Sequence, residues 1–428
     1  MSTMVYDRAP IGSGVQYVEA YEEPRDVPLW EQAGISIWLL FTYVELPGAS
    51  PVRYLLLFGI LAYAAMNYRA VTALVLKAWP IFLLPIFGIF SFVWADYPQA
   101  AFRGGLLYLI TVFVPAVFAA RVSLRVLLRC YFFAAAATVL WALQWWGEFN
   151  IGGPYASKNY LALHMTFAAF FFVTRAFDQQ EHPPIRALAL LFLPLSLLMI
   201  YEANSATATV MSLGGVLGLI MVRLFWLNLA SMQYMKSIVL LLSLSLVIVG
   251  SLIFLSYPGA TPIDDFLAMV GKDSTLTGRT TMWSIAEVFA EDRPMFGVGL
   301  GSFWQDAVGA AQTINENDHK PAGTHLTFHS SYWEVRVHLG LIGLGLYLIM
   351  LGWVGFQVVR QWLGPASVET SAILVITVIT LAWSFTESWL WLPLNGATML
   401  FFIGALAAVS SQKRQYLGRA KVQTAEAA

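Results

Sequence analysis

Cysteine is almost absent: Cys130 is the single one in 428 residues. That excludes an intramolecular disulfide framework and any thiolate-rich metal site. Charge is scarce too. Asp, Glu, Lys and Arg make up 11% of the chain, where soluble domains carry about 25%. The 24 basic and 25 acidic residues leave a net charge of −1, so no global field recruits nucleic acid. No Asp-x-Asp occurs, so the usual metal clamp for a nucleotide sugar is missing. No repeat of 20–50 residues is visible, which removes solenoid folds. Met1 to Glu31 is polar and acidic, with no basic region feeding a short apolar core. It is not read as a cleaved signal peptide but as a cytoplasmic tail.

What the chain has instead is apolar bulk, 58% hydrophobic residues with 16 Trp and a mean hydropathy of +0.67. This predicts an all-α polytopic membrane protein. Counting apolar segments of near-spanning length gives about twelve transmembrane helices between residues 33 and 410. Nine fall in 33–256 and three in 332–410, with a polar stretch at 257–331 between them and a second cytoplasmic tail at 411–428. Alternate short loops then hold Arg69, Lys77, Arg121, Arg125, Arg129, Arg175, Arg186, Arg223, Lys236 and Arg360, and the tail holds Lys413 and Arg414. The positive-inside rule places these in the cytoplasm, together with both termini. The 257–331 segment is then a large extracytoplasmic loop, periplasmic in a Gram-negative cell.

That loop is the expected seat of chemistry. Met282, Ile285, Ala286 and Phe289 recur at helical spacing and predict a short amphipathic helix at the membrane surface, with Thr277 as its cap. Arg279 stands in the first turn. Free amides, helix dipole and guanidinium together suit a phosphate or diphosphate; a structural ion pair with Asp273 or Asp292 accounts for the spacing equally well. Gly297, Gly299 and Gly301 alternate, but no βαβ unit surrounds them, so they predict close packing or a tight bend rather than a dinucleotide fingerprint. Ser331 and Glu334 have the spacing of a capping box, which puts His329 just before a helix at the water–membrane boundary. A near-neutral imidazole there can move a proton or bond a phosphate. His325 lies four residues from His329, but no helix is expected across them, so no metal set is read there. Arg103 and Lys158 are outward cations at headgroup depth, and Glu387 is a carboxylate at membrane depth.

These motifs converge. Thr275 to Trp283, followed by Arg293-Pro294-Met295-Phe296-Gly297-Val298-Gly299 and Ser302-Phe303-Trp304, resembles one signature of the O-antigen ligase and polymerase superfamily, closest to its exopolysaccharide-production branch. His329 to Glu334, running to Leu339-Gly340-Leu341-Ile342-Gly343, resembles the second, and Tyr155 to Asn159 and Glu387-Ser388 also fit that branch. Ser330 stands where many members have Asn, and Ala206 near where many have Arg. The resemblance implies a GT-C-like, metal-independent glycosyltransferase without a cofactor. It would join undecaprenyl-diphosphate-linked oligosaccharides, donor and acceptor, at the outer face of the bacterial cytoplasmic membrane. Membrane lipids, a chain-length regulator and export machinery are the further partners implied. Arg279 and His329 would be catalytic, with Arg103, Lys158, Asn159, Trp283, Glu334 and Glu387 binding diphosphate or glycan. A ligase acting on another acceptor is the first alternative. A flippase is the second, disfavoured because ionisable residues gather at one face rather than at mid-membrane.

Overall fold

The structure is a computed structural model that describes residues 27–44, 49–230, 232, 234–256, 279–305, 309–317 and 326–410. Every regular element among them is helical. Five helices are long and apolar enough to cross a membrane: Pro98–Arg121, Leu124–Trp145, Pro183–Glu202, Ala206–Leu229 and Ser331–Trp362. A sixth appears if Ser50–Met66 and Tyr68–Lys77, bent by 93° at their junction, count as one span. The chain is thus an all-α, multi-pass membrane protein with five to six such helices among the described residues.

This corrects the expected count of about twelve and the GT-C-like, twelve-helix architecture built on it. The reason is physical. Several apolar runs fold as helices of 10–17 residues, namely Pro80–Val93, Val368–Ser384 and Gly396–Ser410. At 1.5 Å per residue these reach about 15–26 Å, short of a hydrocarbon core of about 30 Å. Another run, Lys158–Ala176, is buried at every position from Leu161 to Ala176.

The helices pack so that their ends sort into two faces. At one face Arg175, fully buried, lies 3.3 Å from Asp178, 3.1 Å from Glu181 and 3.7 Å from Glu369. Arg125 pairs with Asp178 at 2.9 Å, and Arg129 with Glu181 at 2.8 Å. Burial would raise the Glu181 carboxyl, but the His182 amide and the two guanidiniums outweigh it and hold it below its ordinary value. This network joins the end of Lys158–Ala176 to the starts of Leu124–Ala142 and Val368–Ser384. The opposite face therefore collects Ser157 and Lys158, the Glu202–Ser205 turn, and the segment after Ser384.

The Ser331–Trp362 helix is broken at Gly340, whose φ of 66° and ψ of −163° are non-helical. Residues 294–299 fill the break. Val298 and Gly299 N–H groups donate to the carbonyls of Val337 and His338 at 3.1 and 2.8 Å. Leu341 and Ile342 N–H groups donate to the carbonyls of Pro294 and Met295 at 2.9 and 3.2 Å. Backbone groups freed by the break are thus satisfied by a second segment, as an apolar surrounding demands. A Cβ on Gly297 would overlap the Val337 and His338 backbone. The alternating glycines are there for close backbone approach, as their spacing suggested.

Candidate functional site

The expected amphipathic helix is present as Arg279–Asp292. Its stripe of Met282, Ile285, Ala286 and Phe289 packs on Val298, Phe303, Trp304 and Phe328. Thr277 and Asp273 lie outside the described residues, as do His319, Lys320 and His325. Trp283 Nε1 donates to the Phe328 carbonyl at 3.0 Å, which ties the helix to the residue before His329. His329 itself has φ of +50°, a left-handed conformation that a side-chain-bearing residue rarely holds. Such strain persists only where the surroundings impose it, and it concentrates at functional sites.

Glu387 brings the two candidate catalytic groups together. Arg279 Nη2 lies 2.5 Å from Glu387 Oε1, and His329 Nδ1 lies 3.2 Å from Glu387 Oε2. The Arg279 and Glu387 side chains are 12% and 15% exposed, and that of His329 is 37% exposed. Burial would raise the Glu387 carboxyl, yet the hydrogen bond and charge of His329 and then of Arg279 outweigh it and hold it below its ordinary value. An ionised carboxylate only accepts, so a neutral His329 carries its proton on Nδ1. The Nε2 lone pair is then the free end of the ring.

A second layer fixes this arrangement. Glu334 is 1% exposed. Its Oε1 accepts the Phe328 amide at 2.7 Å and the Ser388 hydroxyl at 3.2 Å, and its Oε2 accepts Trp304 Nε1 at 3.2 Å. Ser388 Oγ in turn accepts the Ser330 amide at 3.0 Å. Both neighbours of His329 are therefore held by one carboxylate–hydroxyl pair. The capping box expected from Ser331 and Glu334 does not form. Ser330 is the N-cap, with no side-chain capping bond, and Ser331 Oγ instead donates to the Glu387 carbonyl at 3.0 Å. Glu334 is drawn inward because three donors converge on it, and His338 Nε2 lies 3.3 Å from its Oε2. His338 stands one helical turn from Glu334 on one face, a spacing that marks the pair in the sequence.

The other expected ligand-binding residues lie elsewhere. Arg103 is exposed near the start of Pro98–Arg121 and makes no ion pair with the Glu387 cluster. Lys158 Nζ donates to the Asn204 carbonyl at 3.4 Å, and Asn159 Oδ1 accepts the Ser205 hydroxyl at 3.0 Å. The structure thus separates two clusters, one around Glu387 and one around the 204–205 turn. Among the described residues no three His, Cys, Asp or Glu side chains group as a metal set.

Residues 189–348 match the O-antigen ligase family. Over 389 residues the chain is 25% identical to the exopolysaccharide production protein ExoQ of Rhizobium meliloti (strain 1021), an alignment covering 88% of this chain and 87% of that protein. The chain is homologous to the O-antigen ligase superfamily. The O-antigen ligase match spans Arg279, His329, Glu334 and the Gly340 break, whereas Glu387 lies beyond it. The candidate site of this superfamily homologue is therefore completed by a residue outside the matched stretch.

The depressed Glu387 carboxyl sets a pH expectation. A group whose folded pKa is lowered contributes stability above its unfolded pKa, and that contribution is lost as pH falls through the folded value. The Arg279–Glu387–His329 cluster should therefore hold from neutral pH to below the ordinary carboxylate range and come apart in stronger acid. Thermal unfolding of wild type and Glu387→Gln across an acid series checks this. The gap between the two should be full near neutrality and close only at the acid end.

Proposed function

We propose that this protein is a glycosyltransferase that joins undecaprenyl-diphosphate-linked oligosaccharide repeat units into exopolysaccharide. The observation that carries the reading is Glu387 bridging Arg279 and His329, a fixed cation beside an oriented imidazole. In this reading His329 Nε2 takes the proton from an acceptor hydroxyl as its oxygen attacks the anomeric carbon of the donor. The bond from that carbon to the diphosphate oxygen breaks, and its electron pair leaves with the phosphate. Arg279 stabilises the charge gathering there, and the imidazolium returns its proton to the released diphosphate. Glu387 is a positioning residue that holds Nδ1 and the guanidinium. Arg121, Arg125, Arg129, Arg175 and Arg186 gather at the other end of the helices, which supports a cytoplasmic location for that end and an outward-facing site.

The homology also accommodates a ligase that moves finished glycan to another acceptor, since the matched family carries that description. Mass spectrometry of lipid-linked glycans from a deletion strain decides. Single repeat units accumulating on the carrier, restored to long chains by the intact gene but not by the His329→Ala form, are the expected result. Long chains stranded on the carrier would establish the ligase instead. Single units trapped on the cytoplasmic leaflet would establish a flippase.

A further inference from the structure

A cavity of about 410 Å³ opens between the 147–150 loop and the 201–204 turn, lined by Gly147, Phe149, Asn150, Tyr201, Glu202 and Asn204. Its volume is in the range of small-molecule sites. It lies at the same face as His329. Glu369, at the start of Val368–Ser384, is 3.7 Å from Arg175 near the end of Lys158–Ala176. The other end of each helix, Glu387 beyond the first and Lys158 at the second, must therefore lie on the opposite face. Lys158 reaches Asn204 in the cavity wall.

The walls are set before any ligand arrives. The Asn204 amide donates to the Tyr201 carbonyl at 3.0 Å, and Asn204 holds φ of +50°. On the other side Gly147, Gly152 and Gly153 all take positive φ. A Cβ on Gly152 would come within 2.6 Å of the Tyr155 carbonyl oxygen, so the loop is packed tightly against its own return. The chemistry of the lining is specific. Tyr201, 74% exposed, is among the lining residues and supplies an aromatic ring. Asn150 and Asn204 offer amide donors and acceptors, and Glu202 a carboxylate that can accept two vicinal hydroxyls. None of the six lining residues is a cation; Lys158 stands just outside the lining, its ammonium 3.4 Å from the Asn204 carbonyl. A phosphate placed against Glu202 would meet a like charge, whereas sugar hydroxyls can donate to that carboxylate.

We infer that this cavity is a carbohydrate subsite, taking the uncharged sugar units of an oligosaccharide with Tyr201 stacked on a ring. The inference deepens the proposed polymerase reading. A reaction between two glycans needs a place for the one that does not sit on Arg279, and the cavity supplies it on the same face.

The test uses the full-length protein in lipid nanodiscs, free of sugar-headed detergent. The probe is an oligosaccharide released from the strain's own exopolysaccharide by partial acid hydrolysis, and binding is read by saturation-transfer NMR and titration calorimetry. Wild type should bind it. Tyr201→Ala should weaken binding about three- to tenfold, the scale of one aromatic contact, and Tyr201→Phe should retain it. In polymerisation with lipid-linked units, Tyr201→Ala should raise KM for the acceptor and leave kcat in place. Wild type that binds no oligosaccharide, or Tyr201→Ala binding as tightly as wild type, overturns the subsite. Free-oligosaccharide binding lost in Tyr201→Ala, with no polymer made by wild type, upholds the subsite and sinks the polymerase reading alone.

Discussion

Glu387→Gln should lower glycan transfer about 10²- to 10⁴-fold at unchanged membrane levels, the scale of losing an oriented acid–base group or an electrostatic anchor. The amide keeps the shape of the carboxylate and removes its charge. Arg279 then loses the partner 2.5 Å from it at a position only 12% exposed. His329 loses the acceptor that fixes its proton on Nδ1. A glutamine that turns its oxygen to His329 must turn its NH₂ toward Arg279, where two donors face each other. Both functions fail together, so adding His329→Ala to Glu387→Gln should cost little more than Glu387→Gln alone. Glu387→Asp should recover only a small part, because a side chain one methylene shorter cannot span from Arg279 to His329. Single-turnover assays on the variants in nanodiscs, with levels measured by immunoblot, check all three. Independent, multiplicative losses in the double variant would show that Glu387 does not act through His329.

How much of this was legible in the sequence depends on the range over which each feature is determined. The helix from Arg279 to Asp292 was legible because its stripe is a local pattern, and Gly297 and Gly299 because alternating glycines outside a βαβ unit point to close backbone approach or a tight bend. The position of His329 just ahead of a helix was legible for the same local reason. The Glu387 bridge was not. It joins residues 108 and 58 positions apart, and nothing near Glu387 names its partners. The capping box misled because Ser331 and Glu334 have the local spacing, while the convergence of Phe328, Trp304 and Ser388 on Glu334 is a tertiary fact. Lys158 and Asn159 were legible as polar groups at a helix start, but not as neighbours of Asn204 and Ser205 rather than of Arg279. The count of spans failed because apolar composition does not fix how many residues one helix takes, as the short helices Pro80–Val93 and Gly396–Ser410 show.

Gly340→Ala should destroy the fold around the site, although the substitution adds a single methyl group. At φ of 66° and ψ of −163° the position is one that glycine alone holds without large strain. A Cβ there would overlap the Met295 carbonyl and approach the Phe296 amide. The 294–299 segment would have to withdraw, breaking the four bonds to Val337, His338, Leu341 and Ile342. Leaving buried polar groups unpaired costs about 1–3 kcal/mol each. Four such losses reach about 4–12 kcal/mol, a large share of the 5–15 kcal/mol that holds a typical domain together. The alternative, a helix straightened through residue 340, would re-form its own bonds but rotate and shift residues 331–339 relative to the rest. Glu334 would then leave Phe328 and Ser388, and the support of His329 would go with it. Gly352→Ala is the control, because the same helix leaves open space around that position and the change favours helix. Melting of both variants in detergent, followed by transfer assays, should show Gly352→Ala near wild type and Gly340→Ala unfolded or inactive. A Gly340→Ala protein that melts and works like wild type would mean that the break in the helix has no part in holding the site.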